Sequence, residues 1–307
     1  MTSPEDALGF LHDRRVIVFG AGYVGGAVAR AAFAGGARVV ALTRNSTKAA
    51  ALRALGVKAL VADLADGDWH AQVPMEAGDL VLNCVSSGGG GEAGYEHSYA
   101  AGMRSVLAWH QAAPLELAAS SHLVYTSSTS VYPAADGQRV DESSTTEGGN
   151  PLPGILLKTE ERVRAWRGAH TILRLAGIYG PDRHYLLNQL RDSESDGRVA
   201  GQAETHLNLI HRDDIVAAVF ATWAQRETTA GQVYNLADDG AAPKGEVIAW
   251  LAAHLDRSAP EFTGQPAGGR RRMTPDRVIA NDRFKAATGW RPHYPTFREG
   301  YAAILGA

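Results

Sequence analysis

Apolar residues in this chain come in short unbroken runs that alternate with longer stretches in which they recur at helical spacing. Val16 to Phe19 is the first run, entered from Arg15 and closed by Gly20. Val24, Ala27, Val28, Ala31 and Ala32 then repeat every three or four positions until Gly35-Gly36 stops the pattern. Further strand-like runs fall at Ala37 to Leu42, Val57 to Ala62, Asp79 to Val85, His122 to Thr126 and His170 to Leu175. Helical patterns lie between them, from Ser46 as cap to Leu55, about Tyr95 to Ala113 and about Ile155 to Arg167. Strands that read as continuous apolar runs are covered on both faces, and strands alternating with helices build a parallel sheet. The expected fold class is therefore α/β with a doubly wound parallel sheet. The stripe Tyr99, Met103, Val106 and Leu107 reads as core.

Beyond Gly180-Pro181 the alternation breaks up into a short strand at Leu207 to Ile210, a helix at Asp213 to Ala224, a strand at Gln232 to Leu236 and a helix at about Lys244 to Leu255. This predicts a nucleotide-binding domain over residues 1–180 and a smaller α/β substrate-binding region over 181–307, some segments of which return to the first domain.

The junction of the first strand and helix carries Gly20-Ala21-Gly22-Tyr23-Val24-Gly25. Gly20 permits a sharp turn, Gly22 clears the approach of a pyrophosphate, and Gly25 lets the helix opened by Tyr23 and Val24 pack closely on its strand. A glycine turn alone is weak evidence, but between a strand and a helix it marks a Rossmann dinucleotide site. The second strand ends in Thr43-Arg44-Asn45 with no acid to receive a ribose 2′-hydroxyl. Arg44 is either a partner for a 2′-phosphate, which favours NADP over NAD, or a solvated loop charge. Asp63-Leu64 closes the third strand, where the acid either touches the adenine or caps the next turn. Val85 and Ser86 lead into a glycine run to Gly91 that either lies over the cofactor or is a surface loop. Hydroxyls crowd Ser127-Ser128-Thr129-Ser130 at the end of the fifth strand, the edge where ligands of such sheets bind.

With 307 residues, 45% hydrophobic and 21% charged, the chain has the composition of a globular protein. A net charge of −3 gives no reason to expect nucleic acid or an anionic membrane as partner. The single cysteine, Cys84, excludes an internal disulfide or a cysteine-cluster metal site and reads as an inert core thiol. Met1 to Asp13 is acidic and lacks a long apolar run, so a cytoplasmic location is expected. Arg270-Arg271-Arg272 is either a solvated basic loop or a grip for a phosphorylated substrate.

Several blocks in order resemble the extended short-chain dehydrogenase/reductase superfamily, in its nucleotide-sugar epimerase and dehydratase branch: the glycine turn, Asp63-Leu64, Thr126 to Tyr132, Leu173 to Pro181, Asn208 to Asp214, Tyr234 to Asp239 and Gly289-Trp290-Arg291-Pro292. The resemblance implies a site between the two domains and an NAD(P)-dependent oxidoreductase, epimerase or dehydratase. The substrate it implies is a nucleotide sugar or a similar hydroxyl or carbonyl compound. It also implies a serine at Ser128 and a Tyr-x-x-x-Lys helix whose lysine is Lys158. A homodimer is common in such folds. Here the chain departs from the pattern, because Gly154 stands at the tyrosine position and no tyrosine lies between Tyr132 and Tyr179. Tyr179, His184 and Tyr185 are then the candidate proton donors. The alternative is a non-catalytic NADP(H)-binding sensor or scaffold.

Overall fold

The computed structural model describes residues 9–146, 151–192, 198–265 and 275–306. Seven strands form the central sheet: β1 (Arg15–Phe19), β2 (Arg38–Thr43), β3 (Lys58–Val61), β4 (Leu80–Asn83), β5 (His122–Ser128), β6 (Ala169–Leu175) and β7 (Gln232–Leu236). Their order is β7-β6-β5-β4-β1-β2-β3, and every pairing is parallel. The fold is the Rossmann α/β class expected from the alternation. The chain leaves β1 in one direction toward β2 and β3 and later resumes on its other side at β4. That reversal opens a crevice at the carboxyl ends of β1 and β4.

All of β1 is buried, and its period of two divides it between two cores. Val16 and Val18 face helices α1 (Tyr23–Ala34) and α5 (Arg212–Ala224), packing with Val28, Ala32, Ile215 and Val219. Ile17 and Phe19 face the opposite layer, where Phe19 meets Trp69 and Trp109 at ring separations of 4.8 and 5.5 Å. Helix α5 and strand β7 thus join the first core although they follow Gly180, whereas Tyr179, Leu187, Val247, Ile248, Leu251, Phe297 and Tyr301 form a separate one.

Three local expectations need correction. The helix expected over Tyr95 to Ala113 is a short α segment Gly91–Tyr95, a π-helical turn Glu96–Ala101 and α3 (Gly102–Ala112). The wider turn re-aims the side chains at its level. The strand expected over Leu207 to Ile210 is split at Asn208. His206–Leu207 pairs antiparallel with Ala242–Pro243, and Leu209–His211 pairs parallel with Gly177–Tyr179. The Asn208 amide replaces the interrupted ladder, donating to the Arg277 carbonyl at 2.9 Å and accepting from the Ile279 N–H at 2.7 Å. The cap of α2 (Ser46–Arg53) is Asn45, whose side chain accepts from Lys48 N–H; Ser46 is the first helical residue. The Arg270 to Arg272 run and most of Met1 to Asp13 lie outside the described residues.

Candidate active site

A cleft of about 880 Å³ runs along the carboxyl edge of the sheet. Of the residues expected at the cofactor, Gly20, Gly22, Tyr23, Val24, Arg44, Asp63, Leu64, Val85 and Ser86 line it, and Ser128 closes its far end. Gly20 has φ +86°, and a Cβ there would lie 2.7 Å from Val85 N. Gly25 faces away from the cleft, in the seam between α1 and the sheet, where a Cβ would strike the Gly20 carbonyl and lie 2.6 Å from Cys84 Sγ. A Cβ on Gly22 meets only the Gly20 carbonyl, at 3.9 Å, and otherwise open space. Gly22 is the N-cap of α1 and offers no side-chain cap. The helix-start N–H groups therefore remain to be satisfied from the cleft, the arrangement a pyrophosphate requires. Burial pushes the Cys84 thiol up to about 12, so it is inert at neutral pH.

Tyr23 fixes the turn to the second region. Its hydroxyl donates to the Pro181 carbonyl at 2.8 Å, and Arg183 and Arg212 lie over its ring at 5.5 and 5.2 Å. At the β2 end, Arg44 is half-exposed and approaches Asp63 Oδ2 at 3.4 Å, while His97 Nε2 lies 2.9 Å from the same oxygen. Asp63 Oδ1 also accepts from Ala65 N–H at 3.0 Å, so this carboxylate both caps the turn and faces the cleft. Burial works against its ionisation, but hydrogen bonds from His97 and Ala65 and the charges of His97 and Arg44 outweigh it and hold the carboxyl below its usual range.

At the β5 end most hydroxyls are committed inward. Ser127 donates to Glu160 at 2.6 Å and Thr129 to the Leu175 carbonyl at 3.3 Å. Ser128 Oγ instead accepts from Ser130 N–H at 3.1 Å, which leaves its own O–H to donate. Beneath it, Arg174 grips Glu160 with two bonds of 3.0 and 2.7 Å and donates to the Tyr132 hydroxyl at 2.8 Å. That hydroxyl in turn donates to Asn235 Oδ1 at 2.9 Å, so Tyr132 is structural.

Ser128, Leu175, Ala176, Gly177 and Ile178 also form one wall of a second chamber of about 420 Å³, bounded by Tyr185, Asn208, Lys244, Arg277 and Tyr301 among others. Of the candidate proton donors, Tyr185 faces this chamber and stays exposed. Tyr179 is stacked on Tyr301 and directed to the Thr296 carbonyl, and His184 Nδ1 lies 3.0 Å from the Gly180 carbonyl. Lys158 is not brought to the cleft. Helix α4 (Pro151–Val163) buries Ile155, Leu156, Thr159, Glu160 and Val163, which turns Lys158 out to solvent.

Sequence reasoning missed Tyr95, Ser98 and Tyr99 as cleft residues, because a regular helix places Tyr99 on the core stripe; the π turn lets it serve both. Burial pushes the Tyr99 phenol up to about 12. Arg277 was also missed, since nothing in its local pattern distinguishes it from a surface arginine. Among the described residues no cluster of His, Cys, Asp or Glu could hold a metal ion, and no helix is long and apolar enough to cross a membrane.

The chain is similar to Protein YeeZ of Escherichia coli K12, 26% identical over 174 residues that cover 56% of this chain and 58% of YeeZ. It is also similar to a 3-diazoavenalumate denitrifying reductase of a Streptomyces species, 27% identical over 52% of this chain and 57% of the reductase. The matched stretches thus span under two thirds of these relatives. A solved, functionally unknown conserved protein from Silicibacter pomeroyi is 26% identical with a TM-score of 0.72, covering 95% of this chain and 98% of that one. A UDP-glucuronic acid 4-epimerase from Bacillus cereus, solved with UDP-glucuronic acid and NAD, shares the fold at a TM-score of 0.77 and 17% identity over 95% and 98% of the two chains. The sequence pattern of the NAD dependent epimerase/dehydratase family matches residues 16–237, from β1 through the end of β7, and the chain belongs to that family.

Proposed function

We propose that the protein is an oxidoreductase that uses NADP in preference to NAD and acts on a hydroxyl or carbonyl compound held in the second chamber. The observation that carries this reading is Ser128, which stands on the common wall of the cleft of about 880 Å³ and the smaller chamber of about 420 Å³. When bound, the nicotinamide would supply or accept the hydride. Gly20, Gly22 and the start of α1 would hold the pyrophosphate, Gly25 the seam behind it, and Arg44 the 2′-phosphate, with Asp63, Leu64, Val85 and Ser86 along the adenosine and ribose. Ser128 would donate its O–H to the substrate oxygen and orient it. Tyr185, on the chamber wall and in contact with solvent, would exchange the proton with that oxygen, in place of the phenol that Gly154 lacks. The exposed Lys158 takes no step in this reading. The nucleotide sugar carried by the epimerase neighbour is one substrate class of the required chemistry, and compounds small enough for 420 Å³ are the other.

The test is turnover with NADPH or NADP over a panel of UDP-sugars and small carbonyls, for wild type, Ser128→Ala and Tyr185→Phe. Losing one oriented donor or acid should lower kcat by roughly 10² to 10⁴-fold with cofactor affinity unchanged. A protein that binds NADP(H) but turns over nothing on the panel would favour the sensor or scaffold reading, which the outward Lys158 and the bare Gly154 support.

A further inference from the structure

Three arginines among the described residues are equally buried, each about 6% exposed: Arg15, Arg174 and Arg277. Arg15 is paired with Asp79 and Glu76, and Arg174 is held bidentate by Glu160. Arg277 has no carboxylate partner among the described residues. Its neighbour Asp276 is turned away to His206, bonding its backbone N–H and Nδ1, both at 2.9 Å. Among the described residues the guanidinium donates only to main-chain carbonyls, those of Thr129 at 2.9 Å and Pro133 at 3.5 Å, and its buried Nε meets no partner. Burying a guanidinium without a counter-charge is costly, and such a group is retained where a ligand completes it. Arg277 lines the second chamber, and so does Lys244, which donates to the Ala200 carbonyl at 2.6 Å.

We propose that Arg277 is a carboxylate-binding residue of the second chamber, and that the compound bound there is a short oxo- or hydroxy-acid whose carboxylate sits beside its reacting carbon. The inference deepens the function proposed above and rests on it for the role of the chamber. Position decides the class of anion. The Arg277 guanidinium is bonded to the carbonyl of Thr129, the residue next to Ser128, and Ser128 and Arg277 both line the second chamber, so an anion received by Arg277 there shares the chamber with the serine hydroxyl. A 2-oxo acid carries its carboxylate directly beside the reacting carbon and so can meet both groups within one small chamber, and the planar carboxylate matches the remaining N–H groups of the guanidinium. The diphosphate of a nucleotide sugar lies several bonds from any ring carbon that could face Ser128. The chamber volume of about 420 Å³ agrees with a compact ligand.

The test is calorimetric titration of benzoylformate, methyl benzoylformate, pyruvate and UDP-glucose into protein saturated with NADP, the oxidised form that cannot reduce a ketone. The acids should bind wild type, and methyl benzoylformate, of similar shape without the charge, should bind about 10- to 100-fold more weakly than benzoylformate. Arg277→Met should erase the preference for the acid and Arg277→Lys should keep part of it, with unchanged NADP affinity showing that both variants are folded. If Arg277→Met does not fold, the acid and ester pair on wild type still decides. Equal binding of acid and ester, failure of both acids to bind, or Arg277-dependent binding of UDP-glucose that the acids do not displace would each overturn the assignment. Arg277-dependent acid binding without any reduction by NADPH would uphold the carboxylate site and count against the proposed reaction alone.

Discussion

Gly22 and Gly25 lie three residues apart in one turn of chain, and the same substitution should fail at each for opposite reasons. In Gly25→Ala the added carbon would lie 2.6 Å from Cys84 Sγ, 3.0 Å from Val18 Cγ1 and against the Gly20 carbonyl, so α1 must lift from the sheet. Overpacking of this kind costs about 1 to 3 kcal/mol, against roughly 0.5 to 1 kcal/mol gained from alanine's helix propensity. The net loss should appear as a fall in Tm of several degrees. In Gly22→Ala the new carbon meets nothing closer than 3.9 Å, and the change at the helix N-cap should cost about 1 kcal/mol or less. That carbon, however, stands where the pyrophosphate must approach. At a cofactor concentration 100 times Kd, binding stabilises wild type by about 2.7 kcal/mol, and a 100-fold weaker Kd would leave only about 0.4 kcal/mol. Thermal unfolding with and without NADP(H) separates the two cases: Gly22→Ala should keep its Tm and lose the cofactor shift, whereas Gly25→Ala should lose Tm and keep much of the shift. Should Gly22→Ala retain the full cofactor response, the glycine turn is not the phosphate site and the placement of the dinucleotide along this edge is wrong.

Arg44→Ala should weaken NADP binding by about 10- to 100-fold and leave NAD binding nearly unchanged, as measured by titration of both; equal losses for the two would remove Arg44 from the 2′-phosphate. Glu160→Gln leaves Arg174 buried without its counter-charge and should destabilise the fold by about 3 to 5 kcal/mol in denaturant unfolding, more than exposed ion pairs such as Arg44 with Asp63 contribute. Stability should fall on acidification below about pH 6.5, because burial pushes His122 down to about 3 and His110 and His211 down to about 4. Above that pH neither state binds these protons; below it the unfolded chain binds them and the folded chain does not, at about 1.4 kcal/mol per pH unit for each group. Asp79, pushed up to about 6 by burial, has the opposite sign between about pH 6 and 4, as have Asp214 and Asp238, which burial also pushes up, but His70 and His170 are pushed down by burial too and keep the histidines in the majority. A Tm that rises between pH 6.5 and 5 would contradict the neutral burial of these histidines.

The sheet was legible because parallel strands covered on both faces leave unmistakable apolar runs, and β7 was placed to the residue at Gln232–Leu236. The glycine turn was legible for a different reason: each glycine answers a separate steric demand at fixed spacing. What the sequence hid depends on long-range geometry. Tyr99 reads as core until the π turn is known, because one extra residue per turn changes which way it points. Arg277 is one charged residue among thirty lysines and arginines, and its meaning comes only from the absence of an acid beside it in the folded chain. Asn208 splits a strand that periodicity alone reads as continuous, since its amide satisfies backbone groups 69 and 71 residues away.

The roll of α4 accounts for the placement of Lys158 and narrows the chemistry that remains. Glu160 follows Lys158 by two residues, about 200° around a helix, so an α4 held to the sheet by the bidentate bond from Glu160 to Arg174 must carry Lys158 on its outer side. Gly154, one turn earlier on the same side, contributes no side chain there. The anchor is a matter of stability: Glu160, Arg174, Ser127, Tyr132 and Asn235 form a connected buried network that ties α4, β5, β6 and β7 together whatever reaction occurs above it. With α4 fixed in that orientation, polar groups that meet a substrate in the second chamber come from other parts of the chain, Ser128 at the end of β5, Tyr185 after the Gly180 turn, and Arg277 beside Thr129. In the function proposed here, donor, acid and anion partner are therefore all supplied without a Tyr-x-x-x-Lys helix, and the three single variants Ser128→Ala, Tyr185→Phe and Arg277→Met should separate turnover from binding: the first two lower kcat, and the third weakens the acid substrate.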